Sequence, residues 1–414
     1  MDGLSPHHYV GIDWASEKHS LCVVDPAGKI RVAFNFDHTA EGIAEAIQRL
    51  DRLGPRDQLP VGIERPSGLL VDTFVDAGFP LVPIHPNVLK ATRPRYSAAL
   101  GKADAGDAYI AADILRTDGH RLRVLKGPSD QTRALRAAVR TRDDLVATRT
   151  QLANQLRAML DAFWPGPLSM FCEVESWICL KFLDEFPSPT AAARLTEKRL
   201  QRFLTRNGYS GRRTAAELLA RLRAAAAGHV PELECEARAQ LVRSLGIILR
   251  TVMTQIRDTE RLIDAQLEQH PDAPIIQSFP RTGSVNAAQI LAELGDNRDR
   301  FTSFDQFAAE SGVCPVTSES GKHRSVAFRF ACNKRLRQAI TTWADNSRHA
   351  NAWAASVYKA ARQRGCDHPH AVRILARAWL RVLWRCWKDR VPYDHERHGR
   401  ALPFLAPKPL TLAA

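Results

Sequence analysis

The sequence predicts an α/β domain with a mixed sheet, then a long helical arm, then a mainly α-helical C-terminal domain. Strand-like and helix-like segments alternate near the N-terminus, which is typical of a sheet covered by helices. Two long segments with apolar residues at helical spacing occupy the middle of the chain, and tryptophan-rich helical segments follow. We therefore expect domains over residues 1–125, 126–270 and 271–390, with a loose tail over 391–414.

The first domain begins with three predicted strands that form an antiparallel meander. They span Tyr9–Ala15, His19–Asp25 and Ile30–Phe36, and Pro26-Ala-Gly28 makes the tight turn between the second and the third. Helices and strands then alternate along the chain: helix Glu41–Leu53, strand Pro60–Glu64, helix Leu69–Ala77, strand Leu81–Ile84 and a helix that opens at Pro86.

Four acids of this domain are candidate metal ligands. Asp13 and Glu64 lie at the ends of two predicted strands, and Asp104 and Asp107 lie on one face of a predicted helix. Because gathered carboxylates repel one another, a fold that collects them normally needs a divalent cation, Mg²⁺ or Mn²⁺. Such ions can hold the attacking and leaving oxygens of a phosphoryl transfer. Each acid taken alone would more simply be a helix cap or a surface charge.

The Gly-Ile-Asp strand also has another interpretation. Sugar-kinase and actin-like folds begin with a strand of this form and follow it with a Gly-rich phosphate turn. Here the strand is followed by Trp14-Ala-Ser-Glu17, which contains no glycine. The sequence therefore favours the metal site over a nucleotide-binding turn at this point.

The charge of the chain is distributed unevenly. The formal net charge is +13, yet residues 1–116 contain 12 Lys and Arg against 15 Asp and Glu, whereas residues 117–414 contain 46 against 30. An acidic first domain followed by a basic remainder fits a carboxylate centre attached to surfaces that bind nucleic acid. The alternative is a basic surface that only contacts solvent.

Cysteine usage and hydropathy indicate the cellular setting. The 8 cysteines include no CxxC pair, which argues against structural zinc and a disulfide framework. No apolar run is long enough to span a bilayer, and the N-terminus lacks a signal-peptide pattern. We expect a cytoplasmic protein without a membrane partner.

Two long amphipathic helices are predicted in the middle of the chain, and we expect them to form an antiparallel arm. The first carries Leu135, Val139, Val146, Leu152, Leu156 and Leu160, and the second carries Leu241, Leu245, Ile248, Val252, Ile256, Ile263 and Leu267. Between them lie helices Thr196–Phe203 and Thr214–Ala226. Arg212 and Arg213, in the turn joining these two helices, are candidate phosphate contacts, although a solvated loop is equally compatible.

The C-terminal domain begins with a pattern typical of a helix-hairpin-helix. Helices Ile275–Phe279 and Ser284–Leu294 flank Pro280-Arg-Thr-Gly283, a turn that could present backbone N–H groups to a phosphate. Later tryptophans fit core packing, while the interleaved Arg373, Arg377, Arg381 and Arg385 could bind nucleic acid.

Ser320 is the candidate nucleophile, with Ser318 and Ser311 as local competitors. Ser320 precedes Gly321, which allows close approach to a phosphate, although a simple turn is the commoner reason for a Ser-Gly pair. A serine hydroxyl needs activation, and the attacked phosphodiester needs its charge neutralised. Cationic residues that could neutralise it surround the pair: Lys322, His323, Arg324, Arg329, Lys334, Arg335 and Arg337.

These motifs together resemble those of the DEDD-type insertion-sequence transposases. The resemblance rests on Gly11-Ile-Asp13, Glu64-Arg-Pro-Ser-Gly68, Lys102-Ala-Asp104-Ala-Gly-Asp107-Ala, Ser320-Gly321 and Ala331-Cys-Asn-Lys-Arg-Leu-Arg337. It implies an RNase H-like first domain similar to the RuvC-like Holliday-junction resolvases, with the four acids as its metal ligands. It also implies that Ser320 is the nucleophile of a C-terminal transposase domain. The family's turn at Pro280–Gly283 is more Gly-rich than the one found here.

The resemblance further implies the partners and the reaction. The expected reaction cuts and rejoins donor and target DNA through a covalent serine–DNA link. A structured non-coding bridge RNA would choose the sites, and the protein would act as a homo-oligomer, a dimer or tetramer. Two alternatives remain open: a metal-dependent nuclease or junction resolvase that uses water, and a nucleic-acid-binding protein without catalysis.

Overall fold

The computed structural model describes residues 7–96, 104–226, 230–321 and 323–398, with the side chains of residues 104 and 105 excluded. The chain divides into two compact units, residues 1–128 and 129–414. The finer boundary predicted near residue 270 lies inside the second unit and stays a prediction.

The first unit is a five-stranded mixed sheet with helices. Its elements are β1 Tyr9–Asp13, β2 Lys18–Val24, β3 Ile30–Asp37, α1 Ala40–Asp51, β4 Val61–Ile63, α2 Leu69–Asp76, β5 Leu81–Pro83, α3 Pro86–Thr92 and α4 Asp104–Asp118. The strand order is β3-β2-β1-β4-β5. The first three strands pair antiparallel, whereas β4 and β5 run parallel to β1. This confirms the predicted mixed sheet, which is the arrangement expected of an RNase H-like fold.

The second unit is built on two long helices, α5 over Asp130–Phe163 and α11 over Glu232–Glu268. The start of α5 packs with the end of α11 in one core, and the end of α5 packs with the start of α11 in another, so the two helices are antiparallel. The predicted apolar face of α11 is partly wrong. Leu241 and Ile248 are 52% and 47% exposed, while the adjacent Val242 and Leu249 are buried.

Short helices pack between and beyond these two. Those of the insert are α6 Gly166–Met170, α7 Trp177–Glu185, α8 Pro189–Ala192, α9 Glu197–Arg206 and α10 Ala215–Ala224. Those of the C-terminal part are α12 Ala273–Gln277, α13 Ser284–Leu294, α14 Phe304–Glu310, α15 Lys334–Ser347, α16 Ala352–Gln363 and α17 His368–Asp389. Trp343, Trp379 and Trp387 are fully buried in the C-terminal core, as the sequence predicts.

Three features differ from or add to the predictions. The segment around Ser320, where the Ser-Gly pair indicates only a turn, forms a two-stranded antiparallel hairpin of β6 Val316–Ser320 and β7 His323–Ala327. Part of the segment expected to be a loose tail packs on the core, because Tyr393 stacks on Phe279 with the ring centroids 4.8 Å apart and His398 is buried; residues 399–414 lie outside the description. Among the described helices, none is long and apolar enough to cross a bilayer.

Candidate active site

Two of the predicted acids lie side by side at the carboxyl ends of two inner strands of the first unit's sheet. Strands β1 and β4 are parallel neighbours with Ile12 opposite Ile63. The next residues, Asp13 and Glu64, therefore lie beside each other at the carboxyl ends of the two strands. Apolar side chains bury both strands, which fixes the register and with it the position of the two carboxylates. The structure therefore brings these two strand ends together as the sequence predicts.

Two glycines bring helix α4 against these strands. A Cβ at Gly11 would lie 2.0 Å from the carbonyl oxygen of Ala108, and one at Gly62 would lie 3.0 Å from that of Ala111. Gly11 and Gly62 are paired across the sheet, so the helix backbone crosses both strands at the place where neither has a side chain. Asp107 precedes Ala108, and its position near the strand-end acids depends on this close approach.

Arg93 contacts the acid group, which consists of Asp13, Glu64, Asp104 and Asp107. No sequence pattern indicates this contact. Its Nε and Nη2 donate to the two carboxylate oxygens of Asp107 at 2.8 and 2.5 Å. The pKa of the Arg93 guanidinium is raised, mainly by this hydrogen bond and further by the negative charges of Glu64 and Asp13. Three of the four predicted acids thus act on one guanidinium. Arg93 lies fourteen positions before Asp107, at a spacing that carries no periodic signal.

The description covers part of the predicted metal site. Asp104 begins α4, three positions before Asp107, and its side chain lies outside the description. Among the described side chains, no three His, Cys, Asp or Glu residues stand close enough together to hold one ion. Asp13 and Glu64 carry the oxygen donors that Mg²⁺ prefers, and the carboxylate of Asp107 is bound by Arg93.

Ser320 lies at the tip of the exposed hairpin. It pairs directly with His323 across the turn, and Gly321 adopts the left-handed conformation with φ of 57° that tight hairpin turns require. Side chains alternate between the faces of a strand, so Ser318 and Ser320 share one face with Ser325 and His323. Every described residue of the two strands is exposed, so the Ser320 hydroxyl is accessible to a macromolecule. Ser311, by contrast, is buried and donates to the carbonyl of Phe307.

The predicted cations fall into two groups. His323 and Arg324 lie on the hairpin, where Arg324 pairs with Glu319 on the opposite strand, and Lys334 is exposed at the start of α15. Arg329 and Arg337 donate to backbone carbonyls at the base of the hairpin, and Arg335 pairs with Asp143 and Asp144 of α5. Lys322 lies outside the description.

A buried carboxylate holds α15 in place. Glu293 receives two hydrogen bonds from Arg140 and one from Asn333, the residue that caps α15. Burial raises the pKa of Glu293, but the hydrogen bonds from Arg140 and Asn333 outweigh it and keep that pKa below its usual range. The cationic first turn of α15 is therefore fixed to α5 and α13.

The remaining predicted phosphate contacts lie in two turns between helices of the second unit. Arg212 is exposed in the turn before α10, while Arg213 donates to the carbonyl of Met170 at 3.3 Å and so supports the fold. The turn between α12 and α13 has the predicted shape. Arg281 and Gly283 both have positive φ, and Thr282 is buried with its hydroxyl on the carbonyl of Phe279.

Comparisons with known proteins match both parts of this arrangement. Residues 10–165, which contain the four acids, match a transposase family model, and residues 273–359, which contain Ser320, match the model described as transposase IS116/IS110/IS902 family. A mini-circle protein assigned as the transposase for IS117, from Streptomyces coelicolor, is 31% identical over 94% of this chain and 96% of its own length.

Two further relatives also span nearly the whole chain. The 43.6 kDa protein of insertion element IS110 from Streptomyces coelicolor is 27% identical over 95% of this chain and 94% of its own. The 42 kDa protein of IS900 from Mycobacterium paratuberculosis is 27% identical over 93% and 96%. With similarity of this extent to a named transposase, and with both family models matched in order, the chain belongs to the IS116/IS110/IS902 family of transposases.

Proposed function

We propose that this transposase cuts and rejoins DNA of an insertion sequence through a serine nucleophile, Ser320. The observation that carries the proposal is the position of Ser320 at an exposed hairpin tip, within the segment matched by the family model. In the proposed step the Ser320 oxygen loses its proton and forms a bond to phosphorus. The bond from phosphorus to one sugar oxygen breaks, and that oxygen takes a proton. The phosphoserine retains a reactive ester, so attack by a DNA hydroxyl reverses the step and rejoins a strand.

The chain's own cations support this role for the hairpin. His323 lies opposite Ser320 on the same face of the hairpin, Arg324 lies on the other face and pairs with Glu319, and Lys334 is exposed at the start of α15. These residues would bring positive charge to a phosphodiester that extends over the hairpin. Arg329 and Arg337 fix the base of the hairpin through backbone carbonyls, which keeps the tip in a defined position.

The acid group is the proposed second half of the site. Asp13, Glu64, Asp104 and Asp107 would hold Mg²⁺ or Mn²⁺, which when bound neutralises phosphate charge and activates an attacking oxygen. Arg93 donates to both oxygens of Asp107, and the remaining lone pairs of that carboxylate would face the ion. Ser320 and the acids belong to different units of the chain, so they could act together within one subunit or between subunits.

Assembly into a homo-oligomer is the third part of the proposal. Beside the face of α11 that packs on α5, the exposed Leu241 and Ile248 with the half-buried Val252 form a second apolar stripe. The seven-residue spacing of Leu241 and Ile248 is that of a coiled-coil seam. This stripe would bind its copy in another subunit. A structured guide RNA would occupy part of the basic surface of residues 117–414.

A suicide DNA substrate tests the central step. Wild-type protein should form a covalent adduct with DNA that survives denaturation. Ser320→Ala should abolish the adduct, whereas Ser318→Ala, on the same face two residues away, should retain it. Free nicked products that persist in Ser320→Ala but vanish in Asp13→Ala would instead indicate a nuclease that uses water. Salt-sensitive binding without cleavage under any metal would indicate a non-catalytic binder, and sequencing the nucleic acid that copurifies tests the guide RNA.

A further inference from the structure

A large cleft lies at the base of the Ser320 hairpin. Its volume is about 1190 Å³, which exceeds the range usual for a pocket that holds one small molecule. One wall is the end of β7 with the loops that flank the hairpin, including Ala327, Pro315 and Phe328, and the other walls are α16 and α17. The cleft therefore lies within the second unit and is connected to the hairpin that carries Ser320.

Helix α17 gives the cleft an alternating lining. Arg373, Arg377 and Arg381 recur every fourth residue, and each is followed by an apolar residue that also lines the cleft: Ile374, Ala378 and Val382. The opposite face of α17 is buried in the C-terminal core, so this lining faces out of that core. Residues four apart lie above one another on a helix, so the arginines form one row and the apolar residues form another. The two rows are about 100° apart around the helix axis, which places the guanidiniums beside an aliphatic strip.

The cleft combines an apolar floor with an excess of positive charge. Trp353 and Val357 of α16 extend the apolar surface, and Arg329 and Arg364 add to the positive charge. No Asp or Glu is among the described residues that line it. A purely apolar partner would leave these guanidiniums without a counter-charge, whereas a nucleotide offers an aromatic base to the floor and a phosphate to the rim.

One arginine of the cleft has a buried donor without a hydrogen-bond partner in the described part of the chain. The Nε of Arg377 is buried without a hydrogen-bond partner, although its Nη2 lies 3.6 Å from Asp305. Arg373 packs over the ring of Phe328 at 5.0 Å, and Arg337 packs over it at 4.9 Å. Phe328 and the adjacent, strongly exposed Phe330 thus form an aromatic surface flanked by cations, as in sites that stack bases.

We infer that this cleft binds unpaired nucleotides of the DNA strand that Ser320 attacks. The inference rests on the proposed function for its choice of DNA. The hairpin fixes the geometry, because Ser320 is four residues beyond Val316 at the edge of the cleft. That span is roughly 13 Å of strand, on the order of four stacked nucleotide steps. The cleft would hold bases a few positions from the scissile phosphate and keep that part of the strand unpaired.

Equilibrium binding of a short single-stranded DNA oligonucleotide to full-length Ser320→Ala protein tests the inference. Arg381→Gln and Arg385→Gln form a matched pair, because both remove one exposed charge from α17 and only Arg381 lines the cleft. Arg381→Gln should weaken binding on the order of tenfold and Arg385→Gln much less. Equal losses from the two variants would overturn the inference.

A second arm tests whether bases enter the cleft. Replacing successive nucleotides by abasic ones should weaken binding to Ser320→Ala protein on the order of tenfold. Adding Ala378→Leu, which fills the floor, should remove the difference between intact and abasic DNA, with circular dichroism confirming the fold. Equal affinity for intact and abasic DNA would overturn the inference. So would tighter binding of an RNA oligonucleotide of the same sequence, or a change of oligomeric state in Ala378→Leu.

These outcomes are separate from those for the proposed function. Ser320→Ala protein cannot form the adduct, so the binding assay reports the cleft alone. If wild-type protein forms adducts while Arg381→Gln and Arg385→Gln bind alike, the cleft inference fails and the serine mechanism stands. If adducts never form while the cleft variants behave as expected, the serine mechanism fails and the cleft remains a site for unpaired nucleotides.

Discussion

Gly11 is a residue whose absence of a side chain positions the acid group. A Cβ there would lie 2.0 Å from the Ala108 carbonyl oxygen and 2.5 Å from the Ala112 nitrogen, both rigid backbone atoms of α4. We predict that Gly11→Ala destabilises the first unit by about 3 kcal/mol, at the upper end of the cost of overpacking. Urea unfolding followed by circular dichroism measures this change.

Gly106→Ala is the matched control for Gly11→Ala. Gly106 lies in α4 itself, and among the residues that the structure describes no atom lies within 4 Å of a Cβ built there. Alanine is a better helix former than glycine, so this substitution should leave stability unchanged or raise it by up to about 1 kcal/mol. If both substitutions had the same small effect, the close approach of α4 to β1 would be wrong.

His19 predicts a pH dependence for the first unit. Its Nδ1 accepts from the N–H of Ala15, so its proton is on Nε2, which donates to Nδ1 of His38 at 2.8 Å. Burial, and secondarily the charge of His38, lower the pKa of His19 to about 4 from the usual 6.5. The unfolded chain therefore takes up this proton first, and stability is lost as the pH falls from about 6.5 towards 4. The loss should be at most about 3 kcal/mol.

Unfolding of wild-type and His19→Asn protein at several pH values measures this effect. Asparagine keeps an acceptor near the Ala15 N–H but cannot titrate, so the fall in stability between pH 6.5 and 4 should be shallower in the variant. Carboxylates contribute equally to both proteins and cancel in the comparison. Parallel curves would show that His19 does not protonate on unfolding.

The strand-end acids could be predicted from the sequence, whereas Arg93 could not. Asp13 and Glu64 each follow a short apolar run, and the parallel pairing of such runs places their ends together. Arg93 reaches Asp107 across the gap between α3 and α4, and the pairing depends on how those helices pack. No local pattern encodes that packing.

At the scale of elements, α11 shows why periodicity alone predicts the buried face of a helix only in part. Two apolar stripes run along it at heptad spacing, one through Val242 and Leu249 and the other through Leu241 and Ile248. Either stripe could pack on α5, because both satisfy the same pattern. The structure buries the first and leaves the second exposed on a helix of 37 residues.

The exposed stripe predicts how the oligomer forms. Leu241→Lys combined with Ile248→Glu should lower the oligomeric state without unfolding the chain, because both side chains are about half exposed in one subunit. Analytical ultracentrifugation measures the mass, and circular dichroism measures the fold. Leu249→Ala is the control within the buried stripe, and it should cost about 2–5 kcal/mol of stability. An unchanged mass for the double variant would place the interface elsewhere.

The hairpin is the element that the sequence did not reveal. Along Val316–Ser320 and His323–Ala327 both faces are exposed, so no alternation of apolar and polar residues marks them as strands. The pairing is visible only in three dimensions, and so is the position of Ser320 opposite His323. The family resemblance indicates Ser320 as the candidate nucleophile, but it does not predict the cleft at the base of the hairpin.

At the scale of the whole molecule, the two units differ in charge. Residues 1–128 carry 15 basic against 16 acidic residues, and residues 129–414 carry 43 against 29. Counterion release on phosphate binding requires clustered cations, which the second unit supplies and the first does not. The acid group in the first unit would by itself repel DNA, so a strand must be held near it by the second unit or by an ion.

This difference predicts that the salt dependence of DNA binding resides in residues 129–414. Anisotropy of a labelled duplex of unrelated sequence, titrated with Ser320→Ala protein at several salt concentrations, gives the slope of log K against log salt, about −0.9 for each phosphate contact. The fragment 129–414, checked for helical content, should reproduce the full-chain slope, because it contains nearly all of the positive excess. The fragment 1–128 should bind too weakly to measure without a divalent ion. A slope that fell by half in the larger fragment would mean that the first unit also binds the phosphate backbone.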